Sequence, residues 1–199
     1  MRNKAWLHFK TITKHKLMVM HYCFRIGLYK QGLLHDLSKY APAEFLVGCK
    51  YYQGDRSPNN AEREDIGVST SWLHHKGRNR HHFEHWVDYS LDDSHVIMGA
   101  RMPRKYVAEM VMDRISASRT YLGDAYTHHA PLEYYLKGKE KLWFIHPQTK
   151  RELEGLLRIL DDCGEETALW YIKHVYLRKG APGLRHKKKR TSNCHKKKN

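Results

Sequence analysis

The sequence predicts an all-α fold, a single compact helical domain. Apolar residues recur at three- and four-residue spacing along most of the chain, and no stretch alternates with period two for long enough to make a strand. Prolines and glycines separate the periodic segments. At 199 residues, with 41% hydrophobic and 12% aromatic side chains, the chain is long enough for one core and too apolar for a disordered polymer.

Residues 4–30 contain no proline and carry apolar side chains at helical spacing, with Gly27 and Gly32 punctuating the end; one long helix or two short ones fit. A second helix begins near Gly32 and carries Leu33, Leu34, His35, Asp36 and Leu37, until Lys39-Tyr40-Ala41-Pro42 breaks it. Pro42 suits the first turn of a helix over Ala43 to Tyr52. Gln53 to Asn60 collects turn residues and reads as a loop. Ala61 to His75 reads as a helix, stopped by Gly77-Arg78-Asn79-Arg80, and His81 to Tyr89 as a short helix or an ordered loop. Pro103 opens the clearest helix, running to about Leu122. A break at Gly123 and a Tyr-rich segment lead to Pro147, then to helices over Lys150 to Cys163 and Glu165 to Leu177. From Arg185 onward the chain is lysine-rich with little to pack, so residues 185–199 are expected to be a disordered tail on a domain of residues 1–184.

The formal charge is +15, and the eight Lys and Arg of residues 185–199, unaccompanied by any acid, leave +7 on residues 1–184. Such a field favours anionic partners, either phosphorylated small molecules or, through the tail, nucleic acid. No apolar run approaches the roughly 20 residues of a membrane helix, and the start lacks a signal-peptide core, so a soluble, cytoplasmic protein without membrane partners is expected. Cys23, Cys49, Cys163 and Cys194 form no CxxC pair, which leaves nitrogen and oxygen to bind any metal.

Sixteen histidines are unusual. In Leu34-His35-Asp36-Leu37-Ser38-Lys39 an imidazole and a carboxylate stand side by side, able to converge on one ion, with Lys39 placed to reach a metal-bound phosphate; an Asp36–Lys39 surface pair beside a core histidine is the plainer alternative. Asp113 follows Tyr106 and Met110 on one face of its helix and precedes Ala117 there, so its carboxylate points where the apolar side chains point, with no cation three or four residues away. A buried carboxylate needs distant compensation, which a metal or an Arg elsewhere supplies. His15 shares an inward stripe with Val19, Tyr22 and Ile26. From the cluster between Trp72 and Trp86, one of His74 and His75 and one of His81 and His82, taken as His74 and His82, can address a common site. Lys76, Arg78 and Arg80 between them can hold phosphate oxygens; a basic surface loop is the alternative. Imidazole and carboxylate ligands suit one or two divalent ions, Mn, Fe, Zn, Co or Ni without distinction.

Together these residues resemble the HD-domain superfamily of metal-dependent phosphohydrolases, whose order is a first His, a His-Asp doublet, further His in two-metal members and a late Asp. Here that order reads His15, His35-Asp36, the 74–82 histidines and Asp113. Within that superfamily the sequence is most similar to bacterial and phage proteins in which the doublet is followed by Ser-Lys-Tyr and a Pro-x-Glu-Phe segment, here Ser38-Lys39-Tyr40 and Pro42-Ala43-Glu44-Phe45. The resemblance covers about residues 10–122 and implies an all-helical phosphohydrolase acting on a phosphate ester, with nucleotides among the candidates. In that reading Asp36 positions the attacking water and Lys39 binds phosphate. A di-iron oxygenase similar to myo-inositol oxygenase uses the same ligands, and a nucleic-acid-binding protein uses the tail; both are alternatives.

Overall fold

Asn3 caps the first helix, α1 (Lys4–Arg25), its Oδ1 accepting the Ala5 N–H at 3.0 Å. The chain is seen here as a computed structural model that describes residues 3–91 and 96–178; the expected tail, 185–199, and the domain limit at 184 lie outside the described residues. Gly27 leaves α1 at φ +81°, a conformation that a side chain strains. A short helix, α2 (Tyr29–Leu34), follows. It stops before the doublet: His35 and Asp36, expected within this helix, lie beyond its end, and Asp36 takes φ +53°. After a 3-10 turn over Leu37–Tyr40, Pro42 opens α3 (Pro42–Tyr51) as anticipated.

The stretch 61–75, read as one helix, is two. α4 (Pro58–Ile66) ends where Gly67 adopts φ +79°, and Ser69 starts α5 (Thr70–Arg78) by accepting the Trp72 N–H at 3.1 Å. Apolar Ile66 and Val68 flank Gly67, which hides this break from the hydrophobic period. Two strands of three residues, β1 (Val87–Tyr89) and β2 (Ile97–Gly99), pair antiparallel; each is too short to show an alternation in the sequence. A Cβ on Gly99 would lie 2.3 Å from the Phe144 carbonyl oxygen, so this ribbon presses directly on the segment entering the last helix.

α6 (Arg104–Leu122) runs as expected from Pro103. The Tyr-rich segment forms a helix that the sequence did not reveal, α7 (Ala130–Gly138). The two helices expected over 150–163 and 165–177 are present, running end to end as α8 (Pro147–Tyr171) and separated at Gly164, whose φ of +78° and ψ of 172° are not helical; a π turn, Ile172–Tyr176, prolongs the second.

The architecture is therefore all-α, with one small β ribbon among the described residues. No helix among the described residues is long and apolar enough to cross a membrane. α6 is the central rod, with Val107, Ala108, Met110, Val111, Met112 and Ile115 all buried. Against it pack the inward stripe of α1 (Val19, Tyr22, Cys23, Ile26), Leu132 and Tyr135 of α7, and Leu153, Leu156, Leu157 and Leu160 of α8. Midway along α6, Glu109 and Asp113 face His15, His35 and His81 instead of apolar neighbours, and the polar cluster forms there.

His8 of α1 lies over Gly48 of α3, where a Cβ would come 2.2 Å from its Nε2. Gly48→Ala should cost about 1–3 kcal/mol by overpacking, measurable by urea unfolding. Burial, and then the charge of Lys39, lower the His8 pKa from 6.5 to about 4. Below pH 6.5 the unfolded chain therefore takes up a proton that the folded chain refuses, and stability falls as pH drops towards 4. The loss is about 3 kcal/mol for a shift of this size. In chelator-treated protein, His8→Gln should flatten that part of the pH profile relative to wild type; parallel profiles would exclude His8 as the cause.

Candidate metal centre

The left-handed turn at Asp36 brings adjacent side chains to one point. In a continuous helix neighbouring residues diverge by about 100°; with α2 ended and Asp36 at φ +53°, the His35 ring and the Asp36 carboxylate meet, Nε2 to Oδ2, at 3.4 Å. Lys16 of α1 fixes this turn by donating to the carbonyls of Leu33 at 2.8 Å and His35 at 2.9 Å.

Two nests of ligating atoms flank the Asp36 carboxylate. On the Oδ2 side stand His15 Nε2 at 3.9 Å and His35 Nε2, with Asp113 Oδ1 closing the group 3.0 Å from His15 and 3.9 Å from His35. On the Oδ1 side stand His75 Nε2 at 3.3 Å and His81 Nε2 at 3.4 Å, and His82 Nε2 lies 2.9 Å from His75 Nε2. Lys39 Nζ reaches Oδ2 at 2.6 Å.

Ligands on one ion at about 2.0–2.2 Å stand no more than about 4.4 Å apart. His15, His35 and Asp113 form one group whose ligand atoms all lie within 4.8 Å of one another, and Asp36, His75, His81 and His82 form another. His15 Nε2, His35 Nε2, His81 Nε2 and Asp36 Oδ1 are buried and make no hydrogen bond; even the 3.0 Å approach of Asp113 to His15 is out of line for one. Four unsatisfied polar atoms aimed at a common interior are costly unless a cation joins them. The residues thus fit one or two divalent ions, and the all-nitrogen-and-oxygen donor set agrees with the metals expected.

Carboxylates behind the rings set which nitrogen faces inward. His35 Nδ1 lies 3.0 Å and His81 Nδ1 3.2 Å from the same oxygen, Glu109 Oε1. His75 Nδ1 lies 2.8 Å from Glu44 Oε2. An Nδ1–H given to a carboxylate leaves Nε2 bare, the state that ligates.

Burial opposes ionisation of Asp36, but His35, Lys39 and His75 overcome it and hold the carboxyl well below its usual range. Burial, then His81 and His75, push His82 far below the ordinary imidazole range, and burial lowers His15. Burial also depresses His35, yet Asp36, Glu109 and Asp113 more than offset that and raise it to about 10; a cation displacing that proton serves the same electrostatic end.

His15, His35, Asp36, Lys39, His82 and Asp113 come together as expected. His74 does not: successive helical residues diverge, α5 turns His75 inward, and His74 instead meets Glu44 Oε1 at 2.5 Å from a partly exposed position. Arg78 and Arg80, expected to hold phosphate, are exposed at the end of α5, Arg78 turned to the His74 carbonyl and Arg80 to the Tyr106 hydroxyl. Lys76 lies one residue past the inward stripe and forms no ion pair among the described residues. His75 and His81, the alternatives within their pairs, also face the centre, and Glu109 and Glu44 join it without having been expected from the sequence. Glu109 had a visible signal, lying four residues before Asp113 on the same helical face.

Fold and cluster define an all-helical protein built around a buried histidine–carboxylate centre able to hold divalent metal. The chain belongs to a family of unknown function (DUF5662), whose model matches residues 4–159 and so spans every member of the cluster. No curated protein and no solved structure matches it.

Replacing Glu109 by Gln should lower metal affinity about 10- to 100-fold while leaving the helical far-UV spectrum intact. Competition against a chelator of known affinity reads this out, and an unchanged affinity would show that Glu109 does not set the two rings.

Proposed function

We propose that the chain is a metal-dependent phosphohydrolase of the HD-domain type, acting on a phosphate ester. One observation carries the reading: three imidazole Nε2 atoms and one carboxylate oxygen are buried without hydrogen bonds and turned towards each other. Their order along the chain supports it. His15, His35-Asp36, the histidines at 75, 81 and 82, and Asp113 follow the superfamily sequence of ligands, with His75 and His81 joining His82 where His74 was expected.

Divalent ions bound there would lower the pKa of a coordinated water and neutralise charge on a phosphoryl oxygen. The chain's own groups do the rest. Asp36 offers one oxygen to each nest and so fixes the distance between them. Lys39, whose positive charge Asp36 and Asp113 secure against the cost of burial, stands beside the centre as a countercharge for a phosphoryl oxygen. The Asp113 side chain is 17% exposed, against 2% for Asp36, which makes the Asp113 side the approach for substrate.

Asp36→Asn tests the reading, because Asn tolerates the left-handed backbone and removes only the charge. Elemental analysis should find metal in the purified wild type and little in the variant. A screen over nucleotides and sugar phosphates should find hydrolysis lost in parallel, by at least about 100-fold if the ions supply several kcal/mol. Unchanged metal content in Asp36→Asn overturns the assignment; iron with dioxygen consumption and no hydrolysis would transfer it to the oxygenase alternative.

A further inference from the structure

Arg114 has no role in the cluster as described. It follows Asp113 on α6, and its guanidinium lies over the buried Tyr135 ring, 5.8 Å from the centroid. Its Nε is buried without a hydrogen-bond partner. Asp113 and Glu84 are the carboxylates whose fields reach it, yet neither forms an ion pair with it. The other cations near the centre are committed: Lys39 to Asp36 and Lys16 to two carbonyls. Arg114 is half-buried, and a buried guanidinium N–H with no acceptor is costly unless an anion completes it.

Its surroundings indicate where that anion enters. Ala117 and Tyr121 follow Asp113 and Arg114 along one side of α6, at helical spacing. Tyr121 and Tyr134 are 41% and 69% exposed; Tyr134 is close enough to act electrostatically on both Arg114 and Tyr121, and Lys39 and Asp113 on Tyr121. The two cations therefore neighbour the same pair of exposed tyrosines, Lys39 through Tyr121 and Arg114 through Tyr134. The planar guanidinium fork matches two oxygens of a tetrahedral phosphoryl group.

We propose that Arg114 is the substrate-anion receptor of this centre, and that its ligand is the dianionic phosphoryl group of a phosphate monoester. This rests on the metal-centre reading above for the destination of the phosphoryl group, but Arg114 binds the anion through its own donors.

Inorganic phosphate is the probe. In calorimetric titration of the full chain, Arg114→Met should bind phosphate about 10- to 100-fold more weakly than wild type. Arg158→Met, which removes the same charge from an exposed pair with Glu154 on α8, should bind as wild type does. Equal weakening in both variants, or in neither, overturns the proposal. Should Arg114→Met fail to fold, the wild type still decides. The Arg114 Nε–H resonance, identified by its absence from the spectrum of Arg114→Lys, should move as phosphate is added, and an immobile resonance overturns the proposal. Metal content measured on the same samples separates the two readings. Metal-free protein whose phosphate affinity depends on Arg114 defeats the hydrolase and keeps the receptor; metal-bearing protein indifferent to Arg114 does the reverse.

Discussion

A single carboxylate, that of Asp36, joins the two halves of the cluster, and nearly everything around it follows from placing that charge out of water. Burial alone would cost several kcal/mol. The compensation is distributed: Lys39 at 2.6 Å, two imidazoles within 3.4 Å of Oδ1 and another at 3.4 Å from Oδ2. Those rings need their own orientation, which Glu109 and Glu44 supply, and both of these carboxylates are buried in turn. α6 carries the load because its other faces lie in the apolar core, so Glu109 and Asp113 are presented from a helix that cannot rotate.

Much of this could be read from residue spacing. Asp113 with no cation nearby on its own helix and His15 in line with Val19, Tyr22 and Ile26 both pointed inward because a helix fixes direction once its apolar face is known. What escaped has physical reasons. The turn at Asp36 is a left-handed conformation at a non-glycine residue, imposed by tertiary contacts and unmarked in local sequence. His74 and His75 are adjacent, and without the exact phase of α5 nothing separates them. Arg78 and Arg80 are close to the histidines in sequence only, because the end of α5 lets both swing to solvent. α7 is short, and its exposed Tyr134 beside buried Tyr135 blurred the periodicity.

The charge inventory also acquires a spatial meaning. Residues 1–184 have an excess of seven cations, but Asp36, Glu44, Glu62, Glu109 and Glu152 are buried, each with its own interior partners. The surface is therefore more positive than the composition suggests. A field of this kind draws anions towards the protein without specifying which; selection falls to the groups at the mouth of the centre.

The clamp from Lys16 has a mechanical consequence. At six residues, α2 is far too short to hold its own conformation in water, and the doublet it leads into would inherit that looseness. By gripping the carbonyls of Leu33 and His35, the residue next to His15 makes the doublet part of α1, a helix of 22 residues anchored in the core. The two earliest pieces of the centre therefore share one cooperative unit: thermal opening displaces both or neither, and their spacing survives fluctuations that would scatter independently tethered loops.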